Sequence, residues 1–231
     1  MNHAGGFDSF ADTYAAVLDR ALSVSGEDKD YFAQGRVAWL AKRLRTSGED
    51  PKSAVDYGCG IGGTSVLLRN QLGLKSVVGL DVSDRSLEMA KSRYRVDGIQ
   101  FLSFEEYSPR KNVDLVYCNG VFHHIPVAER TKAIHYILDC LRPGGLFALW
   151  ENNPWNPGTR YVMSRIPFDR DAITLTPPEA ASLLGNAGFQ IIHNDFLFIF
   201  PKSLRMLRFL EPRLSRFPFG AQYLVLCRKP S

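Results

Sequence analysis

The sequence predicts a single α/β domain with a doubly wound, Rossmann-like sheet, and three observations support that fold class. Short apolar runs alternate with amphipathic segments from residue 53 onward, which is typical of parallel strands joined by helices. A glycine-rich turn follows the first apolar run, and an aspartate follows the second. The length of 231 residues suits one domain with a substantial core and is too short for two ordinary domains.

The first two thirds of the chain predict alternating strands and helices. Residues 1–50 predict helices, because apolar side chains such as Phe32, Val37 and Leu40 recur at helical spacing. Strands are then predicted at residues 54–57, 76–80, 99–104, 113–118 and 146–150, with helices at 64–72, 84–94 and 128–141. The proline and glycines of residues 142–145 predict the end of a helix before the fifth strand.

The regular alternation ends after Trp150. Residues 152–176 are rich in proline, which predicts loops that form part of a cap. A helix at 179–187, a strand at 189–200 and a last strand at 222–227 complete the prediction. The chain contains no internal repeat and no low-complexity linker, so it is predicted to form one domain.

Composition and charge exclude several classes of protein. The hydrophobic share of 45% and the charged share of 23% are typical of globular proteins, and the net charge of +4 comes with no nucleic-acid-binding motif. There is no apolar run of about 18 residues and no signal-peptide pattern near residue 1, so we expect a cytoplasmic protein. The four cysteines form no C-x-x-C pair, so we expect buried free thiols and no metal site.

The turn after the first predicted strand has the pattern of a ribonucleoside site. Gly58, Gly60 and Gly62 let the backbone turn sharply and approach a ligand, since a Cβ there would collide with it. The second strand delivers Asp81 to the carboxyl edge of the sheet, where a carboxylate can accept hydrogen bonds from both ribose hydroxyls. Asp56 suits a cationic ligand, such as the α-ammonium of a methionine moiety.

A dinucleotide site is the alternative to that interpretation. Gly58-x-Gly60-x-x-Gly63 satisfies the NAD(P) fingerprint, which is a weak signal on its own. Asp56 would face the pyrophosphate, however, and a long helical segment precedes a fingerprint that normally lies near the start of a chain. Both features favour a methyl donor over a nicotinamide cofactor.

Four motifs, taken together and in order, resemble those of class I S-adenosylmethionine-dependent methyltransferases of the small-molecule branch. They are D-Y-G-C-G-I-G-G, G-L-D-V-S, V-D-L-V-Y-C-N-G-V-F-H-H-I-P and L-R-P-G-G, and the resemblance covers residues 7–227. It implies a seven-stranded, mostly parallel sheet with an antiparallel last strand. It divides the domain into a helical lid (1–50), a cofactor-binding core (51–152), cap and acceptor elements (153–218) and the last strand (219–231).

The same resemblance implies which residues surround the cofactor S-adenosylmethionine, whose product is S-adenosylhomocysteine. The implied contacts are Asp56 and Gly58 with the methionine part, Asp81 with the ribose, and Val82, Phe104 and Glu105 with the adenine. Many relatives carry an acidic residue with a small partner where this chain has residues 103–106, so the contact with the adenine amino group is open. Asn119 and Gly120 would line the sulfonium side, and Tyr14 of the lid helix would contact the cofactor.

His123, His124 and Glu151 are the candidates for a catalytic role. Methyl transfer is an in-line displacement, so positioning supplies much of the rate, and a base is needed only for a hydroxyl or an acidic carbon or nitrogen. Histidine titrates near neutral pH, so one of the pair can act as a base or orient the acceptor. The alternatives are that the histidines only pack the loop and that Glu151 lies in a surface turn.

Residues 198–219 interleave Lys and Arg with Leu and Phe. This pattern fits contact with an anionic membrane or a lipid-linked acceptor. It fits equally a cap whose apolar side packs on the sheet or on a second subunit of a homodimer, and packing is the favoured interpretation.

The whole sequence therefore predicts a methyltransferase acting on a small molecule. A hydroxyl of a sugar, lipid-linked or secondary-metabolite acceptor is the first choice, and N- or C-methylation of another small molecule is the alternative. From other classes, an NAD(P)-dependent oxidoreductase and a non-catalytic S-adenosylmethionine-binding module remain open.

Overall fold

A computed structural model describes residues 14–169 and 172–230, apart from the side chains of residues 14–16, 19 and 168. The strands are β1 (Ser53–Tyr57), β2 (Ser76–Asp81), β3 (Ile99–Ser103), β4 (Val113–Asn119), β5 (Leu141–Asn152), β6 (Gln190–Leu197) and β7 (Gln222–Arg228). They form a seven-stranded sheet with the order β3-β2-β1-β4-β5-β7-β6. Only β7 runs antiparallel to its neighbours β5 and β6, as the sequence resemblance implied.

Helices cover both faces of this sheet. They are α1 (Tyr14–Leu22), α2 (Lys29–Thr46), α3 (Gly63–Gln71), α4 (Asp84–Arg93), α5 (Val127–Cys140), α6 (Pro157–Met163), α7 (Pro177–Asn186) and α8 (Glu211–Leu214), with 3₁₀ turns at Phe122–His124, Pro167–Asp169 and Lys202–Leu210. Side-chain caps fix several starts: Asp28 accepts from the Tyr31 N–H, and Thr176 forms a capping box with Glu179. Within the described ranges, no helix combines the length and the apolar character needed to cross a lipid bilayer.

A helix ends at Cys140, close to its predicted end, but β5 begins at Leu141 instead of residue 146, so residues 142–145 belong to the strand. Val113 pairs with Leu141 and Leu115 pairs with Leu146, so β5 bulges between these two pairs. The backbone N–H of Gly144 donates to Lys229 O at 3.0 Å, and the N–H of Lys229 donates to Gly145 O at 2.8 Å. These bonds to the C-terminal segment hold the bulge against the sheet.

Two other strands end earlier than predicted. β3 ends at Ser103 instead of residue 104, and β6 ends at Leu197 instead of residue 200. The reason at β6 is the backbone of Phe198, whose φ of 63° is left-handed and turns the chain out of the sheet. The segment that follows borders the candidate site described below.

Two apolar clusters pack on opposite faces of the sheet. One joins the sheet to α5 and α7 through residues such as Ile134 and Leu184, and the other joins it to α2 through residues such as Leu40. Asp195 on β6 is 2% exposed and accepts hydrogen bonds from the Trp39 indole at 2.9 Å and from Nε and Nη2 of Arg43. These bonds hold helix α2 against strand β6. The four cysteines are free and buried, as predicted.

Candidate active site

Two cavities at the carboxyl ends of β1, β2 and β4 meet at the same three residues. The first has a volume of about 380 Å³ and the second about 320 Å³. Asn119, Gly120 and His124 line both of them. This is the edge at which open α/β sheets bind ligands, and it can present two molecules to each other.

The glycine loop forms the floor of the first cavity. Gly58, Gly60 and Gly62 have φ values of 77°, 52° and 82°, which side chains rarely adopt. A Cβ on Gly60 would meet no atom within 4 Å, so this position opens toward the cavity. A Cβ on Gly58 would instead lie 2.3 Å from Val121, and one on Gly62 would lie 2.6 Å from Phe101.

The expected collision with a ligand therefore applies to Gly60 alone. Gly58 lines the cavity, but a Cβ there is excluded by contact with Val121. Gly62 is not part of the cavity wall, and its lack of a side chain lets α3 pack against β3. The predicted contact between Gly62 and the cofactor stays a prediction.

Asp81 ends β2 and lines the first cavity. Its carboxylate accepts hydrogen bonds from the backbone N–H of Gly60 at 2.7 Å and from the backbone N–H of Ser83 at 2.9 Å. These two bonds fix the direction of the carboxylate. The group can accept hydrogen bonds from a vicinal diol in the cavity.

Asp56 is buried behind the loop, with 2% of its surface exposed. It accepts a hydrogen bond of 2.6 Å from the Ser65 hydroxyl. Burial raises the pKa of its carboxyl from 3.8 to about 7, and the Ser65 hydrogen bond opposes this shift. The cavity wall begins one residue later, at Tyr57, so contact between Asp56 and a methionine ammonium stays a prediction.

Val82 and Phe104 form an apolar wall of the first cavity. Phe104 packs edge-on against Tyr57, with ring centroids 4.8 Å apart, and both rings line the cavity. Glu105 is exposed and is not part of the wall, and its contact with the adenine stays a prediction. The side chain of Tyr14 lies outside the described residues, and its predicted contact is untested.

Asn119 ends β4 at the junction of the two cavities. Its side-chain oxygen is buried and has no hydrogen-bond partner in the part of the chain that the structure describes. A buried polar atom without a partner costs free energy, and most such atoms are satisfied by water or a ligand. Gly120 follows with a φ of 67° and turns the backbone along the junction.

The predicted catalytic residues come together in one buried cluster. His123 Nδ1 lies 2.6 Å from Glu151 Oε2, and Glu151 Oε1 accepts from the backbone N–H of Phe122 at 2.8 Å. Asp169 completes the cluster, with its Oδ1 3.6 Å from His123 Nε2 and 3.4 Å from His124 Nε2. Glu151 is 2% exposed, which excludes the alternative of a surface turn.

The carboxylates control the protonation of this cluster. Burial alone would lower the pKa of His123, but Glu151 and Asp169 raise it to about 10. Burial raises the pKa of Asp169, but hydrogen bonds from His123 and His124 outweigh it and leave that pKa below its ordinary value. The two carboxylates therefore favour the protonated form of His123.

Sequence reasoning missed two residues of the second cavity, Asp169 and Arg36. Asp169 lies far along the chain from the histidines, and only the folding of residues 153–176 brings it to them. Arg36 is 7% exposed; it donates to Tyr117 Oη at 3.2 Å and to Gln222 Oε1 at 2.9 Å. Its position on the apolar stripe of α2, four residues from Phe32, was the available signal.

Two sequence comparisons relate the chain to methyltransferases. A family model described as a methyltransferase domain matches residues 54–145. A trans-aconitate 2-methyltransferase of Methylobacterium radiotolerans is 28% identical over 138 residues, which are 59% of this chain and 52% of that protein. The chain thus spans about half the length of that curated relative.

Two solved structures share the fold. An S-adenosylmethionine-dependent methyltransferase of Mesorhizobium loti has a TM-score of 0.57 at 21% identity, over 77% of this chain and 90% of that one. The phosphoethanolamine N-methyltransferase 2 of Haemonchus contortus, in complex with S-adenosylmethionine, has a TM-score of 0.58 at 17% identity, over 78% of this chain and 49% of that one.

Proposed function

The chain belongs to the class I S-adenosylmethionine-dependent methyltransferase superfamily, and from this premise we propose that it transfers a methyl group to a small-molecule acceptor. One observation carries the proposal: the first cavity, which Asp81 and the glycine loop line, and the second cavity meet at Asn119, Gly120 and His124. S-adenosylmethionine supplies a methyl group on a sulfonium, which a nucleophile can take by in-line displacement. The enzyme's main contribution would be to align the two molecules at this junction.

The residues of the first cavity fit the cofactor's chemical parts. The oriented carboxylate of Asp81 suits the ribose diol, and the apolar wall of Val82 and Phe104 suits the adenine. The open space over Gly60 suits a ligand that lies against the backbone. The unpartnered oxygen of Asn119 lies at the junction, where an electron-rich group favours a sulfonium.

The acceptor would occupy the second cavity, and we propose that it reacts through an oxygen atom. Two histidines and Asp169 face this cavity, and such groups orient or deprotonate a hydroxyl. The segment 198–201 and Arg208 also line it, next to the exposed apolar surface of residues 202–219. A hydroxyl on a sugar, lipid-linked or secondary-metabolite acceptor is consistent with these surroundings.

Arg36 favours a carboxylate acceptor as the second candidate. Its guanidinium has only neutral partners within residues 14–169 and 172–230, and it lines the second cavity. A buried guanidinium with unused N–H groups favours an anionic ligand. The relative from Methylobacterium radiotolerans is named for trans-aconitate, a tricarboxylate, which fits the same inference.

An acceptor panel with labelled S-adenosylmethionine tests the proposal and separates the candidates. The panel should pair hydroxyl acceptors with small polycarboxylates, and mass spectrometry should identify the methylated atom. Arg36→Gln should raise the KM of a carboxylate acceptor at least tenfold while the KM of a neutral hydroxyl acceptor stays unchanged. Labelled product on nitrogen or carbon would overturn the oxygen assignment, and binding of NAD(P) without S-adenosylhomocysteine would overturn the proposal itself.

We also propose that the surface of residues 202–219, named the basic apolar surface here, contacts an anionic membrane. Its apolar members are largely solvent-exposed, including Met206 at 84% and Phe209 at 71%. No residue of Lys202–Leu210 is fully buried, so its apolar side chains are accessible to a membrane or to a second subunit. Exposed basic side chains accompany these residues at positions 202, 205, 213 and 216. Apolar and basic groups on one surface complement anionic headgroups and the acyl boundary.

A further inference from the structure

We propose that His123, His124 and Asp169 form a binding site for a divalent first-row transition metal ion such as Zn²⁺. Each residue offers one ligand atom, and these atoms all lie within 4.8 Å of one another. Two imidazoles and one carboxylate are a donor set that this class of metal prefers. The site departs from the expectation, based on cysteine spacing, that the chain holds no metal.

The distances between the donor atoms suit a tetrahedral ion. Bonds of about 2.0–2.1 Å from zinc to histidine and carboxylate place the ligand atoms roughly 3.4 Å apart. Asp169 Oδ1 lies 3.4 Å from His124 Nε2 and 3.6 Å from His123 Nε2. The two histidine nitrogens lie within 4.8 Å of each other, so the two imidazoles would move toward each other to close around an ion.

The surrounding groups hold the ligands in place. Glu151 Oε2 lies 2.6 Å from His123 Nδ1, which leaves Nε2 as the ring nitrogen on the side of Asp169. Such a carboxylate behind a ligating histidine is typical of metal sites. The backbone N–H of Ile173 donates to His123 O at 2.9 Å and joins the segment after Asp169 to the histidine turn.

Charge balance also favours a dication. Glu151 and Asp169 are 2% and 8% exposed, and among the described residues neither has a Lys or Arg within 4 Å. A divalent ion would balance the charge of both buried carboxylates.

The metal site would add to the proposed function. Only the role of the acceptor as a further metal ligand rests on that function. His123, His124 and Asp169 all line the acceptor cavity, and His124 also faces the junction. Three protein ligands leave a position of the ion open. An acceptor oxygen in that position would be held beside the junction and would give up its proton more readily.

Cobalt titration of the tag-free, EDTA-treated full chain tests the site without any acceptor. We expect one equivalent of Co²⁺ to give visible d–d absorption bands, which one equivalent of Zn²⁺ then removes. His124→Gln and Asp169→Asn should each weaken binding at least a hundredfold, because each removes one of three ligands. Glu151→Gln should weaken Co²⁺ binding about 10–100-fold, because it removes the carboxylate that orients the His123 ring.

The matched control removes every other histidine of the chain: His3, His135 and His193. This triple alanine variant should bind Co²⁺ like the parent chain. Circular dichroism and S-adenosylhomocysteine binding verify that each variant is folded. Absence of a one-equivalent site in the parent chain, or its persistence in both His124→Gln and Asp169→Asn, would overturn the proposal.

The outcome for the metal is separable from the outcome for methyl transfer. Methyl transfer by an EDTA-treated chain that binds no Co²⁺ would overturn the metal site and leave the proposed function standing. Co²⁺ binding by a chain that fails to bind S-adenosylhomocysteine would support the metal site and contradict the proposed function.

Discussion

At the scale of single residues, Asp81 is the most direct link between sequence pattern and ligand. Asp81→Asn keeps the size of the side chain and removes the charge from two hydrogen-bond acceptors. We expect S-adenosylhomocysteine affinity to fall by about 1.5–3 kcal/mol, because hydrogen bonds to charged groups are the stronger ones. Isothermal titration calorimetry measures this change.

Glu105→Gln is the matched control for Asp81→Asn. Both residues were assigned to the cofactor from the sequence, but only Asp81 lines the first cavity. The control should bind S-adenosylhomocysteine like the parent chain. Equal affinity in the Asp81 variant and the parent chain would contradict the ribose assignment.

Asp56 predicts a pH dependence of stability. Its pKa in the folded chain, about 7, lies above the ordinary value of 3.8, so the folded state binds the proton more tightly. The free energy of unfolding should therefore fall between pH 4 and 7 and then level off. Asp56→Asn cannot ionise and still accepts from Ser65, so above pH 7 it should be more stable than the parent chain by on the order of 2–4 kcal/mol.

Thermal unfolding at pH 5 and pH 8 tests this prediction. The difference in Tm between Asp56→Asn and the parent chain should be larger at pH 8. Asp139→Asn, at an exposed position, is the control and should show the same small difference at both values. A difference for Asp56→Asn that does not grow with pH would mean that burial of its charge is not costly.

At the scale of elements, the turn Lys202–Leu210 carries a prediction about membranes. The chain should sediment with vesicles of phosphatidylcholine containing one third phosphatidylglycerol, and not with phosphatidylcholine alone, at low salt. Each basic residue near an anionic surface contributes about 1 kcal/mol. Replacing Lys202, Arg205, Arg213 and Arg216 by Gln should therefore lower binding at least tenfold.

The control for vesicle binding removes the same number of exposed cations elsewhere, at Lys91, Arg93, Arg95 and Arg110. This variant should sediment like the parent chain. A Met206→Ser/Phe209→Ser variant should also lose binding, since both side chains are exposed. Sedimentation that is independent of phosphatidylglycerol, or equal loss in both charge variants, would contradict the membrane proposal.

The ends of helices and strands show where local sequence features predict structure correctly and where they do not. Helix α4 is predicted at 84–94 and found at Asp84–Arg93, because its cap Ser83 and its apolar face are local features. The start of β5 was missed because residues 142–145 contain turn-forming types. Their pairing with Lys229, far along the chain, overrides that local preference.

At the scale of the whole molecule, Asp195 ties α2 to β6 and so holds Arg36 over the acceptor cavity. Asp195→Asn would leave Arg43 without its charged partner in a largely buried position. Removing one partner of a buried pair is strongly destabilising, so we expect the free energy of unfolding to fall by about 3 kcal/mol. Chemical denaturation followed by circular dichroism measures it.

The exposed pair of Lys52 and Asp50 provides the control for that measurement. Asp50→Asn should change the free energy of unfolding by less than about 1 kcal/mol, because solvent screens exposed pairs. Similar effects from the two variants would show that the Asp195 pair contributes no more than a surface contact.

The sequence alone predicted the fold class, the succession of strands and helices along the chain, and the glycine loop with Asp81. These depend on periodicity, on glycine conformation and on motifs contiguous in the chain, all of which are local. Only the tertiary structure separated the packing role of Gly62 from the open space over Gly60. It also brought Asp169 beside His123 and His124, because contacts between distant segments depend on how the whole chain folds.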